Sequence, residues 1–235
     1  MKGGRLAEFG RTWFATPLGR DTLGAVVPYL LWMVLMLTLP SSAGGYAIRT
    51  FLTFVALFFF YPRLSAAAVD RGARSVWQTL AWGVIVGAAV CILWIFPERF
   101  DWYRRFFVIG GASAAPISPY EPSVCGWPLT LWRLVGSAFI IAPAEELFFR
   151  SFLYRRLQAR DWTAVKLSTF DLSAFLWTVG LFALEHDRIV VGALAGAAYG
   201  WIAIRRGLGA AILAHVVTNF LLGLYVIGFE NWGFW

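Results

Sequence analysis

Seven apolar runs, most of them near the length of a membrane-crossing helix, divide the chain and constrain its fold more than any other feature. They cover residues 23–39, 46–61, 77–96, 129–154, 172–184, 189–204 and 208–227. A helical span needs about 20 mostly apolar residues. The chain is 60% hydrophobic and 14% charged, and its mean hydropathy is +0.67. That is too little charge to clothe a soluble domain of this size. The expected fold is all-α: a polytopic transmembrane helical bundle of about seven helices, with eight as the alternative. No internal repeat, low-complexity tract or linker divides it, so residues 1–235 read as a single integral membrane domain. The fifth and sixth runs are short, which points to a broken helix or to shifted boundaries. The longest connection, 97–128, is rich in proline and reads as an extramembrane loop.

Charge sets the orientation. Of 20 basic residues, 14 fall in segments that share one side when the N-terminus is inside. The positive-inside rule therefore places the N-terminus in the cytoplasm and, with seven spans, the C-terminus outside. The thirteen Trp suit a membrane interface. A net charge of +7 raises nucleic acid as a partner, but the arginines cluster in short loops between apolar runs, where membrane anchoring explains them and no nucleic acid is needed. The segment MKGGRLAEFGRTWF reads as a small interfacial helix, with no cleavage site of the A-x-A kind after the first apolar run. Cys91 and Cys125 show no pairing or metal-site spacing, and Cys91 reads as inert packing.

Against this background the polar groups in the last hundred residues stand out. Each ionisable group at membrane depth costs roughly 2.5–3.5 kcal/mol on insertion scales. The stretch IAPAEELFFRSF carries Glu145, Glu146 and Arg150; LFALEH ends on His186; LGAAILAHVVTNFLLG carries His215 and Asn219. Glu146 and Arg150 are four apart and share a helix face, which leaves Glu145 turned about 100° away. His215 and Asn219 are one turn apart on one face, as are Phe182 and His186. Each has an ordinary explanation. Glu146 and Arg150 can be a structural pair, and a paired carboxylate is a poor base. A lone histidine or asparagine can be an interhelical hydrogen bond. Arg49 and Arg133 can snorkel to an interface, and VGALAGAAYG allows close helix packing. Glu145, His186, His215 and Asn219 together are hard to justify unless they meet.

If they meet, a carboxylate and a histidine can hold and deprotonate a water that attacks a carbonyl. A second histidine and an amide can donate to the oxyanion. No serine or cysteine is paired with a base in this set, so a covalent acyl-enzyme is not suggested. Direct hydrolysis of an amide fits without a cofactor. The alternative is zinc, with Glu145, His186 and His215 as ligands and water in the fourth position, although the H-E-x-x-H helix that commonly delivers such ligands is absent.

In order and loose spacing, Glu145-Glu146-x-x-x-Arg150, Phe182-x-x-x-His186 and His215-x-x-x-Asn219 resemble the three motifs of the CAAX-protease and bacteriocin-processing family of intramembrane proteases. The resemblance covers residues from about 128 to 235, the motif-bearing core. The stretches LEHDRIVVGALAGAAYGW, AHVVTNFLLGLYV and NWGFW look like a bacterial branch found with exosortase sorting systems. The resemblance implies that Glu145 activates water with His186, that His215 and Asn219 serve the oxyanion, and that Glu146 and Arg150 support them. It implies an inner-membrane endopeptidase acting on a membrane-tethered protein or peptide, with the lipid bilayer and an exosortase system as partners. Ser151 departs from the glycine common at that place in the family. Two rivals predict no proteolysis: a non-catalytic scaffold, and a transporter, which would more naturally show repeated halves.

Depth is the unresolved point. Glu145 lies about 16 Å from the end of its helix at residue 156, and His215 about 14 Å beyond Arg206. His186 lies about 22 Å along from Asp171. To join the others, its helix must tilt or start outside the lipid, or the chain near His186 must fold back.

Overall fold

The computed structural model describes residues 16–61, 64–65, 75–108 and 117–235. The interfacial helix expected at the N-terminus and the basic residues Arg63, Arg71 and Arg74 lie outside them. Among the described residues every regular element is helical: α1 (Pro17–Thr38), α2 (Ala43–Phe60), α3 (Val76–Ile95), α4 (Asp101–Phe107), α5 (Pro122–Cys125), α6 (residues 127–156), α7 (Leu172–Ala183), α8 (Ile189–Arg206) and α9 (Leu208–Phe229). The seven expected runs coincide with α1, α2, α3, α6, α7, α8 and α9.

Local chemistry sets several of these boundaries. Thr16 caps α1 through its hydroxyl, which accepts from the Gly19 N–H at 3.0 Å, and Pro17 supplies a preset φ at the first helical position. Ser42 caps α2 in the same way, and Asp171 caps α7 by accepting from the Ala174 N–H at 2.7 Å. Gly207 turns the chain sharply from α8 into α9 at φ 92°, a left-handed conformation that favours glycine.

Five helices, α1, α2, α3 with its 3-10 extension to Arg99, α8 and α9, are each long and apolar enough to cross a membrane. The expected total of seven rests on the other two. The α6 run is about 45 Å long at 1.5 Å per residue, and the 12-residue α7 about 18 Å. α7 is shorter than a hydrocarbon core of about 30 Å. Large apolar side chains such as Phe58, Trp77, Ile92 and Leu176 point outward, as suits a bundle whose solvent is lipid.

α9 packs along α3 and α8, and the middle of α6 packs against α9. The two ends of α6 pack on α2 and α1. Behind the motif residues, Tyr29, Val90, Phe149, Phe182, Tyr199 and Ala214 form a buried cluster drawn from six helices. The loop between α6 and α7 is fastened down. Trp162 donates to Thr22 at 3.0 Å, and the Tyr154 hydroxyl donates to the Thr169 carbonyl at 2.7 Å.

Candidate active site

The acidic motif lies on a helix with two wide turns. α6 is α-helical over Trp127–Gly136, π-helical over Ser137–Ile141, α-helical over Ala142–Glu146, π-helical over Leu147–Leu153, and α-helical again to Arg156. Pro143 explains the first wide turn, because it lacks an N–H and its ring crowds the preceding carbonyls. Single π turns of this kind recur at functional sites. The Ser137 carbonyl accepts from the Ala142 N–H five residues on and also from Asn219 Nδ2 at 3.0 Å. This second bond ties α9 to α6 beside the glutamates.

His215 lies between the two acids. Its Nδ1 stands 2.9 Å from Glu146 Oε1, and its Nε2 stands 3.6 Å from Glu145 Oε2. The first is a hydrogen bond; the second is too long to be one. On the other side, Glu146 Oε2 faces Arg150 Nε at 3.3 Å. Arg150 is held in turn by the Gly196 carbonyl at 3.1 Å and by the ring of Phe182, whose centre is 4.4 Å from the guanidinium carbon. The expected Glu146–Arg150 brace is present. Glu146 has a second partner, however, and Glu145 does not face a separate environment: the imidazole is large enough to meet both acids with different nitrogens. Two carboxylates, one guanidinium and one imidazole thus form a compact buried set, which is how an apolar helix can carry adjacent acids.

His186 reaches this site because α7 stops early. The helix ends at Ala183, and residues 184–188 run as an irregular segment. Such backbone is tolerated at depth only against protein or water. Here Arg188 holds it, pairing with Glu98 and donating to the Gly233 carbonyl at 3.0 Å. The chain therefore turns directly after α7 towards α8, which packs on it, and the turn brings His186 to the cavity. His186 Nδ1 is 2.8 Å from the Phe182 carbonyl. A carbonyl only accepts, so the neutral ring carries its proton on Nδ1 and keeps Nε2 free as an acceptor.

Glu145, His186, His215 and Asn219 all line one cavity of about 250 Å³. Glu146 and Arg150 do not line it; both are fully buried behind it. The sequence reading missed several wall residues, among them Trp94, whose ring centre is 5.4 Å from that of His186, and Tyr199, which stacks on His215 at 4.6 Å. Aromatic residues are so frequent in this chain that nothing in their spacing marks these two. Ser151, the departure from glycine, is buried and accepts from Arg155 Nη2 at 2.9 Å, so the hydroxyl fastens the end of α6.

Arg49 and Arg133 correct the snorkelling expectation. Arg49 is 6% exposed and lies over Trp32 and Tyr46. Arg133 stands over Tyr46, Tyr120 and Trp235, and lines the cavity. The aromatic rings of α1 and α2 and of the residues before α6 hold both side chains in the protein.

The zinc alternative requires Glu145, His186 and His215 to converge. Bonds like those made by the two Nδ1 atoms do orient metal-bound imidazoles elsewhere. Yet among the described residues no group of three His, Cys, Asp or Glu is placed to hold a metal ion. As arranged, Glu145, His186 and His215 do not form a zinc site.

No curated protein and no solved structure matches the chain. Residues 127–221 match the model of a family described as Type II CAAX prenyl endopeptidase Rce1-like. The match starts at the first residue of α6, ends within α9, and contains all seven motif residues, Phe182 included, while the branch associated with exosortases is not distinguished by it. Over that stretch, 95 of the 235 residues, the site-bearing helices are similar to Rce1-like CAAX endopeptidases.

Proposed function

We propose that the protein is an intramembrane endopeptidase that hydrolyses a peptide bond of a membrane-associated protein or peptide with activated water. The observation that carries this reading is one cavity in an apolar bundle, lined by Glu145, His186, His215 and Asn219 from three separate parts of the chain. The match of the same segment to an endopeptidase family supports it. Glu145 and His186 both line the cavity, and the Glu145 carboxylate and the free Nε2 of His186 can accept from a water between them. As the water attacks a carbonyl, its proton passes to Glu145, which can then return it to the leaving amine. His215 donates to the oxyanion from Nε2. With Nδ1–H held by Glu146, this requires a doubly protonated ring, and Glu146 is the carboxylate that compensates it, because Glu145 has taken the proton of the water. Asn219 spends one N–H on Ser137 and has a second to offer. The finer assignment is sorting-tail processing beside an exosortase in a bacterial inner membrane, supported by the sequence stretches quoted above, with the N-terminus in the cytoplasm, supported by the distribution of basic residues.

The test uses purified wild type, Glu145→Ala and Glu145→Gln with a panel of membrane-tethered peptides, read by mass spectrometry with and without a strong chelator. Wild type is expected to cleave, unaffected by chelator, and both variants to lose about 10²–10⁴-fold in rate, the range for a positioned base. Loss with chelator, restored by zinc, would move the assignment to a metallopeptidase. Equal cleavage by Glu145→Gln would remove Glu145 as the base and favour a scaffold role for the pair.

A further inference from the structure

The far wall of the cavity holds charge that the hydrolytic mechanism does not use. Arg133 and Arg49 flank the same ring, that of Tyr46, with guanidinium carbons 4.4 and 5.3 Å from its centre. Tyr120 adds a ring 5.0 Å from Arg133 and a hydroxyl 3.5 Å from Arg49 Nη2. Among the described residues neither arginine has a carboxylate within ion-pair distance; the pairs found involve Arg104, Arg150, Arg188 and His215. Arg133 Nε and Arg49 Nε and Nη1 are buried without a hydrogen-bond partner. Rings offset part of the cost of a desolvated cation, but they leave those N–H groups unmet, and buried donors are rarely left so. Of the two side chains, Arg133 opens onto the cavity.

Its place on α6 gives the vacant charge a meaning. Arg133, Ser137, Ile141 and Glu145 recur every four residues and all line the cavity, so one stripe of a single helix joins the guanidinium to the proposed base. Resting on the endopeptidase reading, we infer that Arg133, backed by Arg49, is the anchor for the C-terminal carboxylate of the peptide substrate. A guanidinium fork suits a carboxylate. Twelve residues of helix span about 18 Å, which an extended peptide covers in about five residues. The anchor therefore sets the length of the released fragment at about five residues.

The experiment reads binding as well as cleavage. Glu145→Gln protein is reconstituted in phosphatidylcholine nanodiscs. It is titrated with an N-palmitoylated ten-residue peptide library of neutral random sequence, in free-acid and C-terminal amide forms. The free acid is expected to bind about tenfold more tightly, the scale of one charge-assisted contact. Adding Arg133→Gln should erase that preference, and Arg133→Lys should keep part of it, with unfolding midpoints confirming that each variant is folded. Equal binding of acid and amide, or no binding of either, overturns the carboxylate anchor. So does a preference that follows phosphatidylglycerol content in the nanodisc and not the peptide terminus, which would mean that the anion is a lipid headgroup. Because binding is measured on a base-deficient variant, failure of the proteolytic reading leaves this result legible. In active protein, fragments of about five residues support the anchor, and fragments of scattered length count against it.

Discussion

At the scale of single residues, Glu146 is the junction of the site. It faces Arg150 with one oxygen and His215 with the other, and no part of it is exposed. Removing one member of a buried ionic set leaves the others uncompensated, at a cost of about 3–5 kcal/mol. Glu146→Ala should therefore lower the thermal unfolding midpoint in detergent markedly. Glu146→Gln, which keeps an acceptor for His215 but loses the charge, should fall between it and wild type. A wild-type midpoint for Glu146→Ala would mean that the pair is not holding the helices. The spacing of Glu146 and Arg150 makes their pairing readable from sequence, because four residues on a helix is a local distance. The bond from His215 is not readable, because residues 146 and 215 meet only through the packing of α6 against α9.

At the scale of elements, the close approach of α3 and α9 fixes where His215 and Asn219 stand. Gly87 makes it possible: a Cβ there would lie 2.5 Å from the Ala214 carbonyl oxygen and 2.7 Å from Val217 Cβ. The Gly87 carbonyl also accepts from Thr218 at 2.9 Å. Gly87→Val should cost about 1–3 kcal/mol or more by overpacking and, by moving α9, should reduce cleavage in parallel. Gly180 is the contrast, since a Cβ there meets nothing within 4 Å. Gly180→Ala should be neutral or stabilising by up to about 1 kcal/mol, because alanine is the better helix former. Unfolding midpoints of the two variants, compared side by side, check both statements. The element that the hydrophobic pattern described least well is α7. Its length could be counted, but its early end is stabilised by Arg188 reaching Glu98 and Gly233, both far away in sequence.

At the scale of the whole molecule, the chain presents apolar side chains outward and gathers Glu145, Glu146, Arg150 and His215 at or directly behind one cavity, whereas Asp21 and Arg155, also buried, do not line it. The charge bias predicts that the loop after α6 and the end of α9 lie on opposite sides of the membrane. Green fluorescent protein and alkaline phosphatase fusions after Gln158 and after Trp235 should report opposite compartments: fluorescence for the first, phosphatase activity for the second. The same compartment at both points would mean that α7, α8 and α9 do not make three crossings, and the 12-residue α7 is where that count would break.

The helical class, the positions of the apolar runs and the polar residues that needed an explanation are all legible in the order of residues alone. Period and composition act locally, and a carboxylate in an apolar helix is conspicuous wherever the helix lies. Three features emerge only in three dimensions: His215 stands between two glutamates, the chain turns at His186, and Arg133 lines the same cavity as Glu145. Those facts depend on side chains from helices far apart in sequence arriving at one place. Helix packing sets that arrival, and helix packing is a property of pairs of surfaces that no single run of residues contains.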